Sequence, residues 1–346
     1  MSDTMNRKSC YARAGVDIDQ KMSGLAAIKK LVDATSTSGV LGGIGAFGGM
    51  FASPGRDKVL VASTDGVGTK LKVALMAGCH STVGQDIVNH CVNDILVQGA
   101  TPLFFLDYIG TSKFQADAFR NVIAGLCKAC RENGCALLGG ETAEMPGLYP
   151  PNEYDLVGTI VGVVDRRKII TGSSIRPGDM VIGLPSTGLH TNGYSLARKV
   201  IFETAGLKVG DIFPGTDRTV ADVLLAVHRS YLRPVLRVME KVRIRGMAHI
   251  TGGGFYDNIP RVLPAGTAVI VNANSWQVPP WFDFIAKKGG VGLTEMYRVF
   301  NMGIGYVLIV KESDADKAMR LLRTTRAGPV IIGEVVKGAR NVSIRW

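Results

Sequence analysis

The stretch that most constrains this chain is 62–70, ASTDGVGTK. The apolar run Val59-Leu60-Val61-Ala62 reads as a buried strand. A Ser-Thr pair follows, then Asp65, then Gly66 and Gly68 framing Val67, then Thr69 and Lys70. Apolar residues at Leu71, Val73, Ala74 and Leu75, with Gly78 as a stop, predict a helix after Lys70. A strand, a glycine turn and a helix start gather backbone N–H groups at one point, which suits an anion. Thr64, Gly66, Gly68 and Thr69 are therefore candidate phosphate contacts, and Lys70 adds a cation. Asp65 repels a bare phosphate, but fits if a divalent ion lies between them, because a hard cation takes carboxylate and phosphate oxygens together. The stretch reads as a metal–nucleotide site; the plainer alternative is a turn that only needs glycine.

Similar logic recurs down the chain. Ser23 caps an expected helix with Leu25, Ile28, Leu31 and Val32 on one face. Its Lys29 is either solvated or a phosphate contact. Residues 39–55, GVLGGIGAFGGMFASPG, contain Gly43-x-Gly45-x-x-Gly48, the spacing of a dinucleotide fingerprint. That match is rejected, because no strand precedes it and no helix follows. A glycine loop carrying Phe47, Met50 and Phe51 suits a lid closing over a ligand. In 84–99, GQDIVNHCVNDILVQG, residues Asp86, His90 and Asp94 fall at i, i+4 and i+8 on one helix side. That stripe either reaches a metal beside Asp65 or is a solvated face. A helix over about 114–133 ends at Gly134, and the strand 136–138 delivers Gly139-Gly140-Glu141, read as a second glycine turn presenting an acid. The loop 185–195, PSTGLHTNGYS, places hydroxyls, His190 and Asn192 at a helix start, as an anion or substrate site would. Gly252-Gly253-Gly254 is a third candidate phosphate cradle. Strands alternate with helices in both halves, which gives an α/β or α+β class, with a division near residue 170.

Composition narrows the partners. The net charge of +11 favours anionic ligands, yet Lys and Arg are scattered and no basic run is interleaved with aromatics, so nucleic acid is not expected. No apolar run is long enough to span a membrane. No secretory h-region is present, so a reduced, cytoplasmic setting is expected for the six cysteines. Cys127-x-x-Cys130 with Cys135 lacks the second pair a metal site needs and reads as structural.

Several stretches together carry a family resemblance: YARAGVDID (11–19), GGIGAFGGMF (42–51), TDGVGTK (64–70), 84–108, GGETAEMPGLY (139–149), STGLHTNGYSLARK (186–199), HITGGGFYDNIPRVLP (249–264) and EMYRVFNMGIGY (295–306). The sequence resembles the phosphoribosylformylglycinamidine cyclo-ligase (aminoimidazole ribonucleotide synthetase) family, in order and over nearly its whole length. The resemblance implies a mixed α+β fold of two α/β domains, 1–170 for ATP binding and dimerisation and 171–346 as a C-terminal α/β domain. The N-terminal halves of two subunits would join strands in a homodimeric sheet or barrel. It implies ATP and formylglycinamidine ribonucleotide as substrates: ATP phosphorylates the amide oxygen, the amidine nitrogen attacks the activated carbon, phosphate leaves and the imidazole ring closes. Under this reading Asp65, Asp94 and Glu141 hold Mg²⁺, with Asp86 a weaker candidate. Lys70 and Lys29 bind phosphates, and Asp94, Lys70 and His190 are catalytic. Gly42, Gly43, Gly45 and Gly48 form the closing loop that excludes water. Asn192 and His190 face the substrate, and Gly252 and Gly253 take phosphate. No role is implied for His90, which is read as incidental.

Relatives in the same ATP-binding superfamily are the rivals. A selenophosphate synthetase would carry a reactive Cys in 39–55, and none is present. Formylglycinamidine synthetase would need a glutaminase, and thiamine phosphate kinase stays open. A hydrogenase-maturation scaffold would end in Cys, whereas this sequence ends Ser343-Ile344-Arg345-Trp346.

Overall fold

The computed structural model describes residues 9–13, 41, 49–53, 55 and 57–346, and α1 is the short helix Cys10–Arg13. Lys29, Gly42, Gly43, Gly45 and Gly48 lie outside the described residues, as does most of the expected lid. Its last residues are described and belong to β1 (Gly49–Ala52), an edge strand antiparallel to β2 (Lys58–Gly66), with Met50 opposite Val61. Met50 and Phe51 therefore sit in a strand, not in a loop.

Two sheets follow each other along the chain. The first has the order β1-β2-β5-β3-β4, with β3 at Thr101–Thr111, β4 at Ala136–Glu144 and β5 at Tyr154–Asp165. Only β3 and β4 run parallel, and the helix α4 (Ala116–Asn133) makes the crossover between them. The second is built from β6 (Met180–Pro185), β7 (Ile244–His249), β8 (Thr267–Asn272), β9 (Ile304–Val310), β10 (Val330–Lys337) and β11 (Val342–Arg345), in the order β11-β8-β10-β6-β9-β7. The two are separated by the segment between Asp165 and Met180. The architecture is mixed α+β, as expected.

The helix α3 (Ser81–Leu96) packs on the first sheet and also reaches the C-terminal half. Val83, Ile87, Val88, Cys91, Val92, Ile95 and Leu96 are all fully buried. Each large aliphatic side chain removed from water contributes about 1.5–3 kcal/mol. Its polar residues are buried too: Asp86, Asn89, His90, Asn93 and Asp94. Two glycines permit this depth. A Cβ on Gly84 would meet the Val122 carbonyl oxygen at 2.2 Å, and one on Gly125 would meet that of Ser81 at 2.1 Å. The backbones of α3 and α4 thus touch where no side chain intervenes.

β4 differs from expectation. Gly139, Gly140 and Glu141 are not a turn; they continue the strand, paired with Leu106, Asp107 and Tyr108 of β3. Gly140 has no room for a Cβ, because the Asp107 carboxylate would lie at 2.4 Å. Among the described residues no helix is long and apolar enough to cross a membrane.

Candidate active site

The polar stripe of α3 neither faces solvent nor reaches for an ion along its whole length. It clamps the backbone of 226–231, a loop of the C-terminal half. The His228 N–H donates to Asp86 Oδ1 at 2.7 Å, and Asn89 Nδ2 donates to the His228 carbonyl at 2.7 Å. Asn93 Nδ2 donates to the Arg229 carbonyl at 2.8 Å, and the Tyr231 N–H returns to Asn93 Oδ1 at 2.9 Å. Backbone groups that a buried loop would leave unpaired are satisfied by side chains.

Lys70 belongs to the same clamp. It is the first residue of α2 (Lys70–Ala77) and is fully buried. Its Nζ lies 2.7 Å from Asp86 Oδ2, donates to the Ala226 carbonyl at 2.8 Å and sits 5.7 Å from the Tyr194 ring centre. Burial pulls the Lys70 ammonium down and pushes the Asp86 carboxyl up, while each holds its partner charged. Lys70 is thus committed to Asp86 and does not reach a phosphate, contrary to the expectation from 62–70. Asp86, the weaker metal candidate, is its counter-ion.

One turn along α3 lies a second cluster. Of the five histidines, His90, His190, His228 and His249 are buried together. His249 Nδ1 is 2.8 Å from Asp94 Oδ1, and His249 Nε2 is 3.0 Å from His228 Nε2. His228 Nδ1 is 3.4 Å from Thr191 Oγ1, which is 2.7 Å from His90 Nδ1. His90 Nε2 lies 2.8 Å from Asp65 Oδ2 and 3.7 Å from Asp94 Oδ2.

The network assigns the protons. With Asp94 ionised, His249 donates from Nδ1 and accepts at Nε2. His228 must then donate from Nε2 and accept at Nδ1, so the Thr191 hydroxyl donates to it. That uses the one hydroxyl hydrogen, so His90 Nδ1 must donate to Thr191, and its Nε2 must donate to Asp65. His90 is therefore an imidazolium. Electrostatics agree: burial alone would lower the His90 pKa, but Asp65 and Asp94 outweigh it and raise it to about 9. Burial keeps His228 well below the ordinary value and lowers His249, against the pull of Asp94.

His190 stacks on His228 with ring centres 3.9 Å apart. Its φ of 62° is a left-handed conformation uncommon outside glycine. The Thr187 N–H donates to its Nε2 at 3.3 Å, which leaves the ring proton on Nδ1, and that atom is buried without a partner. Ring nitrogens of His190, His228 and His249 lie within 4.8 Å of one another. A metal at His190 Nδ1 would set its Nε2–H against the Thr187 N–H, so the donor arrangement does not favour that use.

The expected ligands do not form one shell. Asp65 fits a hard cation: its side chain is 45% exposed, with Oδ1 accepting from the Gly66 N–H at 2.7 Å. Asp94 does not, because it is buried and engaged by Ser63 Oγ at 3.0 Å, by His249 and by the His90 cation. Glu141 is exposed on β4, with β5 and β3 between it and the β2 strand of Asp65. Three strand spacings put the two about 14 Å apart. The described residues of one chain therefore bring Asp65 and Asp94 together around His90 and leave Glu141 outside.

Around the mouth, Thr64 pairs with Thr159 at 2.8 Å, and Thr69 meets Ser195 at 3.3 Å across the two halves. Gly66 ends β2, and Gly68, exposed with φ 69°, makes the turn before α2. Asn192 is half-buried beside Gly252, where a Cβ would stand 3.2 Å from Asn192 Oδ1. Gly253 has φ 97°, and Gly254 is packed so closely that a Cβ would meet the Tyr297 carbonyl oxygen at 1.9 Å. Packing thus accounts for the last of the three glycines.

The family model "AIR synthase related protein, N-terminal domain" matches residues 47–164, and its C-terminal counterpart matches 176–345. The phosphoribosylformylglycinamidine cyclo-ligase of Geotalea uraniireducens is 51% identical over 330 residues, 94% of this chain and 95% of the relative. That of Alkaliphilus oremlandii is 47% identical over 338 residues, 97% and 99% of the two. The chain belongs to the phosphoribosylformylglycinamidine cyclo-ligase family. Among solved structures, the hydrogenase maturation protein HypE in complex with ATP superposes with a TM-score of 0.61 at 19% identity, covering 95% of this chain and 92% of that one. At that identity the likeness speaks for the fold.

The sequence reading did not assign three members of the histidine cluster, His90, His228 and His249. His90 was read as incidental and is the charge between Asp65 and Asp94. Neither His228 nor His249 was singled out. The one available signal was scarcity: a chain with five histidines that puts one on a stripe with two aspartates invites a charge partner.

Proposed function

We propose that this protein catalyses the ATP-dependent cyclisation of formylglycinamidine ribonucleotide to aminoimidazole ribonucleotide, as a ligase of purine biosynthesis that forms a C–N bond and releases ADP and phosphate. Identity of about half to curated cyclo-ligases over 94% of the chain carries this reading. The chemistry needs a good leaving group on the amide carbon, which phosphoryl transfer supplies mainly through positioning and charge neutralisation.

The residues divide the work. Asp65 presents the half-exposed carboxylate of the seam and would hold Mg²⁺, which neutralises phosphate charge when bound. The backbone N–H groups of Gly68 and Thr69 and the N-terminus of α2 face the phosphates. His90 fixes Asp65, and Asp94 fixes His249 and Ser63, so Asp94 acts as a positioning residue. Asn192 and Gly252 line the substrate side, with His190 supporting the turn from behind. Lys70 locks α2 to the loop 226–231 instead of touching ATP.

The protein works as a cytoplasmic homodimer in this reading, with the domain boundary near residue 170. The exposed Leu103, Leu106 and Leu138 on β3 and β4 support a covered sheet surface. All six cysteines are unpaired, in keeping with a reducing compartment.

The test is direct. The purified protein, given ATP, Mg²⁺ and formylglycinamidine ribonucleotide, should release ADP and form aminoimidazole ribonucleotide. A folded protein that yields no imidazole product, or that phosphorylates thiamine phosphate instead, overturns the assignment.

A further inference from the structure

The C-terminal end of α4 is closed by Gly134, with φ 71°. The Gly134 N–H donates to the Arg131 carbonyl at 3.2 Å, and the Cys135 N–H donates to that of Cys130 at 3.0 Å. This paired pattern is the Schellman arrangement, in which a residue of the last turn and the second residue past the helix come side by side, commonly in apolar contact. Here both positions are cysteines, so the cap brings two thiols side by side. The end of α2 is built the same way, with Gly78 at φ 62° and the Cys79 N–H on the Ala74 carbonyl at 3.0 Å. There the facing residue is alanine, so a single thiol results.

We propose that Cys130 and Cys135 form a reversible dithiol–disulfide site, oxidised by small hydroperoxides or small-molecule disulfides. A disulfide needs Cα atoms about 4.4–6.8 Å apart, and a helix cap that hydrogen-bonds one residue's N–H to the other's carbonyl holds them in that range. Exposure divides the roles: Cys135 is half-buried and within reach of a small oxidant, while Cys130 is 2% exposed. The neighbouring Cys130 thiol lowers the Cys135 thiol below its ordinary value, while Cys135 and burial raise Cys130. The nucleophile is therefore the accessible sulfur.

The steps balance. The Cys135 thiolate attacks a hydroperoxide, ROOH, and with one proton gives the Cys135 sulfenic acid and ROH. The Cys130 sulfur then attacks that sulfenic sulfur, water leaves, and the S–S bond forms. With a disulfide as oxidant, Cys135 first forms a mixed disulfide and releases one thiol, and Cys130 displaces the second. Cys127, on α4 one turn before Cys130, lacks the cap geometry and is the internal control.

The folded full-length protein is treated with a few equivalents of hydrogen peroxide, or with glutathione disulfide. Free thiols are then alkylated and the peptides mapped by mass spectrometry. The expected product is a Cys130–Cys135 link, reversed by dithiothreitol and retained in Cys127→Ser. In Cys130→Ser the link is lost and Cys135 is trapped by dimedone as a sulfenic acid. A link from Cys127 to either thiol as the main product overturns the proposal. So does wild-type protein in which Cys135 is modified singly while Cys130 stays free. The wild-type map decides the matter even if a serine variant folds poorly.

Discussion

Two cation–carboxylate clusters hang from the same helix, one turn apart. In the first, Lys70 and Asp86 are both wholly sealed from water. In the second, His90 is buried, but its partner Asp65 is 45% exposed. The sealed pair joins elements of the two halves and has no surface through which to act on a ligand. The half-open pair has the same ingredients plus a route to solvent. Charge type and spacing thus do not separate a sealed structural ion pair from one open to a ligand; access to water does. It also explains why burial pushes Asp86 up and Lys70 down, while His90 is driven up despite its burial.

The sharpest way to break the comparison is to remove a sealed charge. Lys70→Met leaves the Asp86 carboxylate buried without its counter-ion, which costs about 3–5 kcal/mol. Chemical denaturation should show that loss, and activity should fall only as far as the folded fraction does. Lys70→Met with Asp86→Leu should recover part of the stability, since a charge-free core replaces the orphaned one. A fully stable Lys70→Met protein that has lost ATP turnover would instead make Lys70 a ligand contact.

Next in size is the open cluster. Asp65→Asn should lower kcat about 100–1000-fold, or about 2.7–4 kcal/mol, the range for losing one preorganised electrostatic contact. Its melting temperature should fall only modestly, because the half-exposed Asp65 carboxylate stabilises the buried His90 charge by about 1–2 kcal/mol after solvent screening. Asp94→Asn should lower both, because Asp94 is buried and orders His249 and Ser63. If Asp65→Asn unfolds the protein and Asp94→Asn does not, the roles assigned to the two are reversed. A smaller effect is expected at His190. His190→Asn tolerates the left-handed φ of 62° and should fold, but loses the stack on His228. His190→Val should be distinctly less stable, since a β-branched residue fits that conformation poorly.

The same contrast shows what the sequence could reveal. The stripe Asp86, His90, Asp94 was legible from its four-residue spacing. Its partner was not, because the loop it holds lies 142 residues from Asp86 along the chain. Asp65 and the glycine turn were legible for a local reason: strand, turn and helix start are contiguous. Lys70, expected at a phosphate on the same local ground, is instead folded against the buried Asp86 carboxylate, which the turn itself does not announce. Gly139-Gly140 looked like a turn by residue type, yet pairing with β3 supplies the ladder that glycine's own preference does not. Local chemistry was readable; the closure of one half onto the other was not.

The finest test concerns the charge on His90. Its folded pKa is raised from 6.5 to about 9. A raised pKa means the folded state binds the proton more tightly than the unfolded chain. The stabilisation is thus fully present below about pH 6.5 and disappears as pH rises through about 9. Since Asp65 is partly exposed, solvent screening trims the contribution to about 1–2 kcal/mol. His90→Gln keeps a hydrogen-bonding side chain without the charge. The unfolding free energy of wild type minus that of His90→Gln should be largest near pH 6 and shrink by about that amount toward pH 10. A difference that stays flat across this window would mean a neutral His90. The proton assignment through Thr191, His228 and His249 would then have to run in the opposite direction, with Asp94 protonated.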